Sequence, residues 1–177
     1  MNFLSFFKLQ FILWILPIAV IIQNIEVSSN LYSWLIHHEL TLPASIKELI
    51  GDVYAPSFKD RLNTSLFLAS VLPLLVVSFF NRTNNKSYTR HILTIAGFVI
   101  IIGAMTKMVL VLLYQSYIPG VVTAMFLCLP LSFRLVKYCF DTFNFPYYIK
   151  LLVFIFSIIL YLPLTWAIWM FSSLLIF

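Results

Sequence analysis

The chain has 177 residues, of which 62% are hydrophobic and only 10% charged, with a mean hydropathy of +1.02 and a net charge of +5. A soluble domain carries about 25% charged residues, so the polar side chains needed to cover a water-facing surface are missing. The same apolar excess excludes intrinsic disorder, and an integral membrane protein remains. The basic residues flank apolar runs and do not cluster with aromatics, so they point to membrane orientation and not to nucleic acid.

Five apolar segments approach the ~20 residues that span a bilayer, at residues 6–27, 62–80, 92–114, 121–138 and 148–175. The predicted fold is therefore all-α: a polytopic transmembrane bundle of five spans, forming a single transmembrane domain over residues 1–177. The first span carries Lys8 and lacks a small-x-small cleavage site, so it reads as a retained helix and not a signal peptide. After it, residues 28–61 form an extracytoplasmic interfacial segment with nearly balanced charge. Leu31, Trp34 and Leu35 recur there at helical spacing, and a second short helix is expected to open after Pro43. Trp34 and Tyr54 are expected at headgroup level.

Spans two and three are joined by a polar stretch carrying Arg82, Lys86 and Arg90 and no acid. Spans four and five are joined by a stretch bordered by Arg134, Lys137 and Lys150, opposed only by Asp141. The positive-inside bias makes that side cytoplasmic, giving a cytoplasmic N-terminus and an extracytoplasmic C-terminus. Pro17, Pro73, Pro130 and Pro163 mark four of the spans, and each removes a helix hydrogen bond. Cys128 and Cys139, placed on one helix, are ~16 Å apart by helical rise, too far for a disulfide, and read as small apolar fillers.

Charge inside a span is costly and marks a site for function. Two such residues occur, Glu26 near the outer end of span one and Lys107 about two thirds of the way through span three. Both fall in the outer half of the bilayer at matching depth, which predicts a Glu26–Lys107 ion pair. The alternative places Glu26 in the interface and lets Lys107 snorkel along its four-carbon stem. Gln23 shares the helix face of Glu26, with Asn30 a turn further on and Asn24 to one side, so Gln23, Glu26 and Lys107 form the candidate binding set. Gly103 and Thr106 lie near Lys107. Metal ligands are sparse. His37, His38 and Glu39 could hold a metal at the outer interface, but adjacent histidines face about 100° apart on a helix. His91 lies at the other side of the membrane. No HExxH, catalytic carboxylate pair or Gly-rich phosphate loop is present, so no cofactor is predicted.

Two segments carry a family resemblance. Trp14-Ile-Leu-Pro-Ile-Ala-Val-Ile-Ile-Gln-Asn-Ile-Glu-Val27, followed by Trp34, resembles the opening of the HXXEE family of small bacterial multi-pass membrane proteins. Tyr117-Ile-Pro-Gly-Val-Val-Thr-Ala124, followed by Leu129-Pro130, resembles that family's Tyr-x-Pro-Gly-x-x-Thr-Ala segment. The resemblance puts Gln23 at the family's His position, Glu26 at the first Glu and Val27 at the second. It puts Lys107 where a further His is expected, and Gly103 where an Asn is expected. A site of histidines and glutamates would suit a divalent metal or a proton. This diverged chain has replaced most of those ligands, so the resemblance implies a charge pair or polar contact in their place.

Three functions stay open at this level. The leading one is a non-catalytic multi-pass protein that binds a hydrophobic or lipid-like ligand, or a partner, within the bilayer. The second is a membrane-embedded enzyme acting on a lipid or isoprenoid, with Glu26 as catalytic acid/base. The third is a small transporter or immunity-type protein.

Overall fold

The computed structural model describes residues 3–82 and 87–176. Those residues are helical throughout their regular elements, with no strand among them. The order is α1 (Phe3–His38), a 3-10 turn (Glu39–Thr41), α2 (Ala44–Ile50), α3 (Phe58–Arg82), α4 (Ser87–Tyr114), α5 (Val121–Thr123), a π turn (Ala124–Cys128), α6 (Leu129–Phe143) and α7 (Tyr147–Leu174). Five stretches are long and apolar enough to cross a membrane: Phe11–Thr41, Phe58–Arg82, Tyr88–Tyr114, Val121–Phe143 and Tyr147–Leu174. The five spans read from hydropathy are all present, and their large apolar side chains face outward, as Leu112, Leu162 and Phe67 do. Exposed aliphatic and aromatic surface of this kind suits a hydrocarbon solvent.

The interfacial segment departs from expectation at its start. No separate short helix forms over residues 31–38, because α1 runs unbroken to His38. Neither Gly nor Pro interrupts this stretch, and the polar residues that might have stopped it bond back into the helix. The hydroxyls of Ser28 and Ser29 donate to the Ile25 carbonyl at 2.9 and 2.8 Å, and the Asn30 amide donates to the Glu26 carbonyl at 3.3 Å. The second short helix is found where Pro43 predicts it, as α2.

The prolines act differently from one another. Pro17, Pro73 and Pro163 lie inside α1, α3 and α7. Pro130 follows directly on the π turn in the fourth span. Its ring would press on the carbonyl of Phe126, four residues earlier, and the wider π turn gives that carbonyl room.

Packing closes the spans into a ring. Helix α1 packs on α3 and α6, α3 also packs on α7, α7 on α4, and α4 on α6, with α3 and α4 touching as well. Two tight clusters hold the ends. One gathers Leu13, Leu16, Val77, Phe80, Leu93, Leu135 and Cys139. The other gathers Leu35, Leu42, Val53, Phe58 and Leu62, with Trp34, Tyr114 and Trp169 against it. Trp34 thus belongs to the packed end of the bundle, stacked on His38 at 4.3 Å and edge-on to Tyr114 at 5.3 Å. Cys128 and Cys139 are free and buried, as fillers should be. Between the two, Ala19, Val20 and Cys128 form a third, smaller cluster with Ile100 of α4 against it, and beside it the space between α1, α3, α4 and α7 is less filled.

Candidate functional site

Glu26 sits on α1 where the connection from α4 to α5 crosses it. That connection reads Tyr117-Ile-Pro-Gly, and its Gly120 adopts φ +82°, a left-handed conformation that glycine takes without strain. The turn directs the free N–H groups at the start of the fourth span toward α1. The Glu26 carboxylate accepts from four donors there. Oε1 takes the Tyr117 hydroxyl and the Gly120 N–H at 3.1 Å. Oε2 takes the Thr123 N–H at 3.2 Å and the Thr123 hydroxyl at 2.6 Å. A carboxylate offers about four lone-pair sites, so the group is saturated. Its charge also lies at a helix N-terminus, where the macrodipole favours an anion. Tyr117, outside the spans, has its phenol pushed above its ordinary value, first by the hydrogen bond to Glu26 and then by burial and the Glu26 charge.

Lys107 comes to the same turn from α4. A Cβ placed on Gly120 would lie 2.8 Å from Lys107 Nζ and 3.5 Å from the Gln23 carbonyl oxygen, and would collide with Val27 Cγ2. Glu26 by its carboxylate, Lys107 by its ammonium and Gln23 by its backbone carbonyl are therefore brought together around one glycine. The expected contact ion pair is replaced by a looser relation. The Glu26 charge acts on Lys107 through space, while no hydrogen bond or ion-pair contact of its ammonium occurs among the described residues. The physical reason is competition, since backbone N–H groups and two hydroxyls already fill the carboxylate.

Beyond Lys107 opens a cavity of about 350 Å³ between α1, α3, α4 and α7. Its walls are aliphatic, among them Val20, Leu72, Val76, Ile95, Val99 and Leu164. Polar groups enter from Gln23, Asn24, Lys107, Tyr161 and Thr165. Asn24 is committed to α3, donating to Ser70 Oγ at 2.8 Å and to the Leu66 carbonyl at 3.2 Å. Thr165 bonds back to its own helix at 2.9 Å. The Gln23 amide, like the Lys107 ammonium, takes part in no hydrogen bond among the described residues.

His37 and His38 are arranged for structure. His37 Nδ1 lies 2.7 Å from the Ser33 carbonyl, and His38 Nδ1 lies 2.9 Å from the Trp34 carbonyl. Glu39 faces the Tyr54 hydroxyl, and this contact raises that exposed phenol above its ordinary value. Among the described residues no three His, Cys, Asp or Glu side chains gather into a metal-binding group. Sequence reasoning singled out Glu26, Gln23 and Lys107. It missed that Tyr117, Gly120 and Thr123 are the partners of Glu26, although the Pro-Gly pair already signalled a turn with free amides.

Five apolar helices around a polar junction make this a multi-pass membrane protein by fold. Residues 14–135, well over half of the chain, match the family described as a protein of unknown function with HXXEE motif, and the chain belongs to that family. The matched residues include both halves of the Glu26 junction. No curated protein and no solved structure matches the chain.

Proposed function

We propose that this protein binds a single-chain, lipid-like molecule inside its bundle, in the cavity between α1, α3, α4 and α7, and works by binding and not by catalysis. The carrying observation is the cavity itself, aliphatic along its walls and polar at one end. Its volume of about 350 Å³ falls within the usual range of small-molecule sites, about 300–1,000 Å³. An amphiphile satisfies both parts of that lining. Glu26 supports a clasp and not an acid/base, because all its lone pairs are engaged by the protein's own donors.

The test is a thermal one. Saturating 1-dodecanol should raise the unfolding midpoint of the detergent-solubilised protein, since a ligand of the native state stabilises it by mass action. Ala96→Phe, which fills the cavity from α4, should abolish the shift. An equal shift in wild type and variant would sink the reading.

The same reading places the N-terminus in the cytoplasm and the C-terminus outside, on the strength of the basic residues around the α3–α4 and α6–α7 connections.

A further inference from the structure

Two polar side chains at the end of the cavity have unused hydrogen-bonding capacity, and one of them is cationic. Lys107 extends into the bundle from α4 and Gln23 from α1, and both line the cavity. Among the described residues neither side chain forms a hydrogen bond. The carboxylate nearest to Lys107 is Glu26, whose oxygens are turned toward Tyr117, Gly120 and Thr123. Its negative charge is met by those four donors and by the N-terminus of the fourth span, so it neither contacts the ammonium nor projects freely into the cavity. An ammonium in an apolar bundle is costly unless an anion meets it.

We infer that the ligand of this cavity is an anionic amphiphile, one apolar chain ending in a carboxylate or a phosphate monoester, with its head on Lys107 Nζ. The inference rests on the binding reading above and adds the chemistry of the head group. Gln23, whose side chain lines the same cavity from α1, supplies the second donor through its amide. The aliphatic walls take the chain. A neutral alcohol would fill the walls but leave the ammonium without a partner, and a cationic amphiphile would be repelled. A two-chain lipid exceeds the space of about 350 Å³.

The experiment compares three twelve-carbon probes on the purified protein in phosphatidylcholine nanodiscs, with empty nanodiscs subtracted: dodecanoate, dodecyl phosphate and 1-dodecanol. Wild type should bind at least one of the two anions about 10-fold more tightly than the alcohol. Whichever anion is favoured identifies the head as carboxylate or phosphate. Lys107→Met should remove that preference while still binding the alcohol, and Lys107→Arg should keep it. A Lys107→Met protein that elutes as aggregate is replaced by Gln23→Leu, which should reduce the preference about threefold or more. Equal binding of anion and alcohol by wild type would overturn the head-group inference alone. Absence of binding by all three probes, with no effect of Ala96→Phe, would overturn the cavity reading beneath it.

Discussion

Glu26 illustrates how a charge is tolerated inside an apolar span when the chain supplies its own donors. Hydrogen bonds to a charged group contribute about 1.5–3 kcal/mol each when buried, and less where one partner is exposed. Tyr117 is half-exposed, so Tyr117→Phe should cost about 1 kcal/mol of stability. Glu26→Gln should cost more, because an amide presents a donor to donors. In a double-mutant cycle on unfolding free energy, Glu26→Gln and Tyr117→Phe should couple by about 1 kcal/mol, and Glu26→Gln and Lys107→Met by about half of that or less. A stronger Lys107 coupling would restore the direct ion pair. The Tyr117 bond also has a pH signature. Its phenol is raised in the folded protein, so the stability it contributes is complete below the ordinary value near 10 and is lost as pH rises through the higher folded value. The stability gap between wild type and Tyr117→Phe should therefore stay constant from neutral pH to about 10 and shrink above it. The sequence exposed both ends of this contact, because an intramembrane acid and a Tyr-x-Pro-Gly turn are each conspicuous. It did not expose their meeting. Two of the four donors are backbone N–H groups, which every residue but proline carries, and they lie more than ninety positions from Glu26 along the chain.

At the scale of elements, the turn into the fourth span depends on one glycine for two separate reasons. Gly120 has φ +82° and no room for a Cβ, whereas Gly51 has φ +81° and nothing within 4 Å of where a Cβ would be. The two also differ in ψ: Gly120 is in the left-handed helical region at ψ 4°, and Gly51 is in a region open essentially to glycine alone at ψ −165°. Gly51→Ala should meet no collision and cost backbone strain, about 1–3 kcal/mol. Gly120→Ala combines the left-handed penalty, about 1–2 kcal/mol, with a collision with Val27 and an approach to Lys107, about 1–3 kcal/mol more. Val27→Ala should therefore cost less thermal midpoint in the Gly120→Ala background than in the wild type; equal losses would show that the α1 contact is slack. Hydropathy made the spans legible because length and apolarity suffice to define them. The extension of α1 to His38 was not legible from polarity, since Ser28, Ser29 and Asn30 look like a helix end until their bonds to the preceding turn are seen. The cavity was equally hidden. It arises where α1, α3, α4 and α7 surround a space that their side chains do not fill, a property of pairing and not of any one segment.

For the molecule as a whole, the two basic connections lie at one end of the bundle, which strengthens the charge argument for orientation. Arg90 at the start of α4 stands over the Phe143 ring at 4.7 Å, and Lys150 at the start of α7 stands over Phe140 at 5.1 Å. His91 stacks on Phe145 at 4.8 Å between them. The basic residues near the opposite end are partly accounted for by packing. Arg61 lies on the Trp169 ring at 4.1 Å and reaches the Trp169 carbonyl at 3.4 Å, tying α3 to α7. The segment between α1 and α3 carries three cations, Lys47, Lys59 and Arg61, against the six of Arg82, Lys86, Arg90, Arg134, Lys137 and Lys150 around the other two connections. A fluorescent-protein reporter inserted at residue 86 should therefore fluoresce, and a reporter active only outside the cytoplasm should work at the C-terminus. The opposite pattern at both sites would reverse the orientation. Neutralising Arg82, Lys86 and Arg90 together removes most of the bias at one connection. Because lysines and arginines near span ends set topology while acids contribute little, that triple variant should show a mixed population in the same assay. Arg61→Gln should leave orientation unchanged and lower stability instead, since its guanidinium is engaged in packing two helices together.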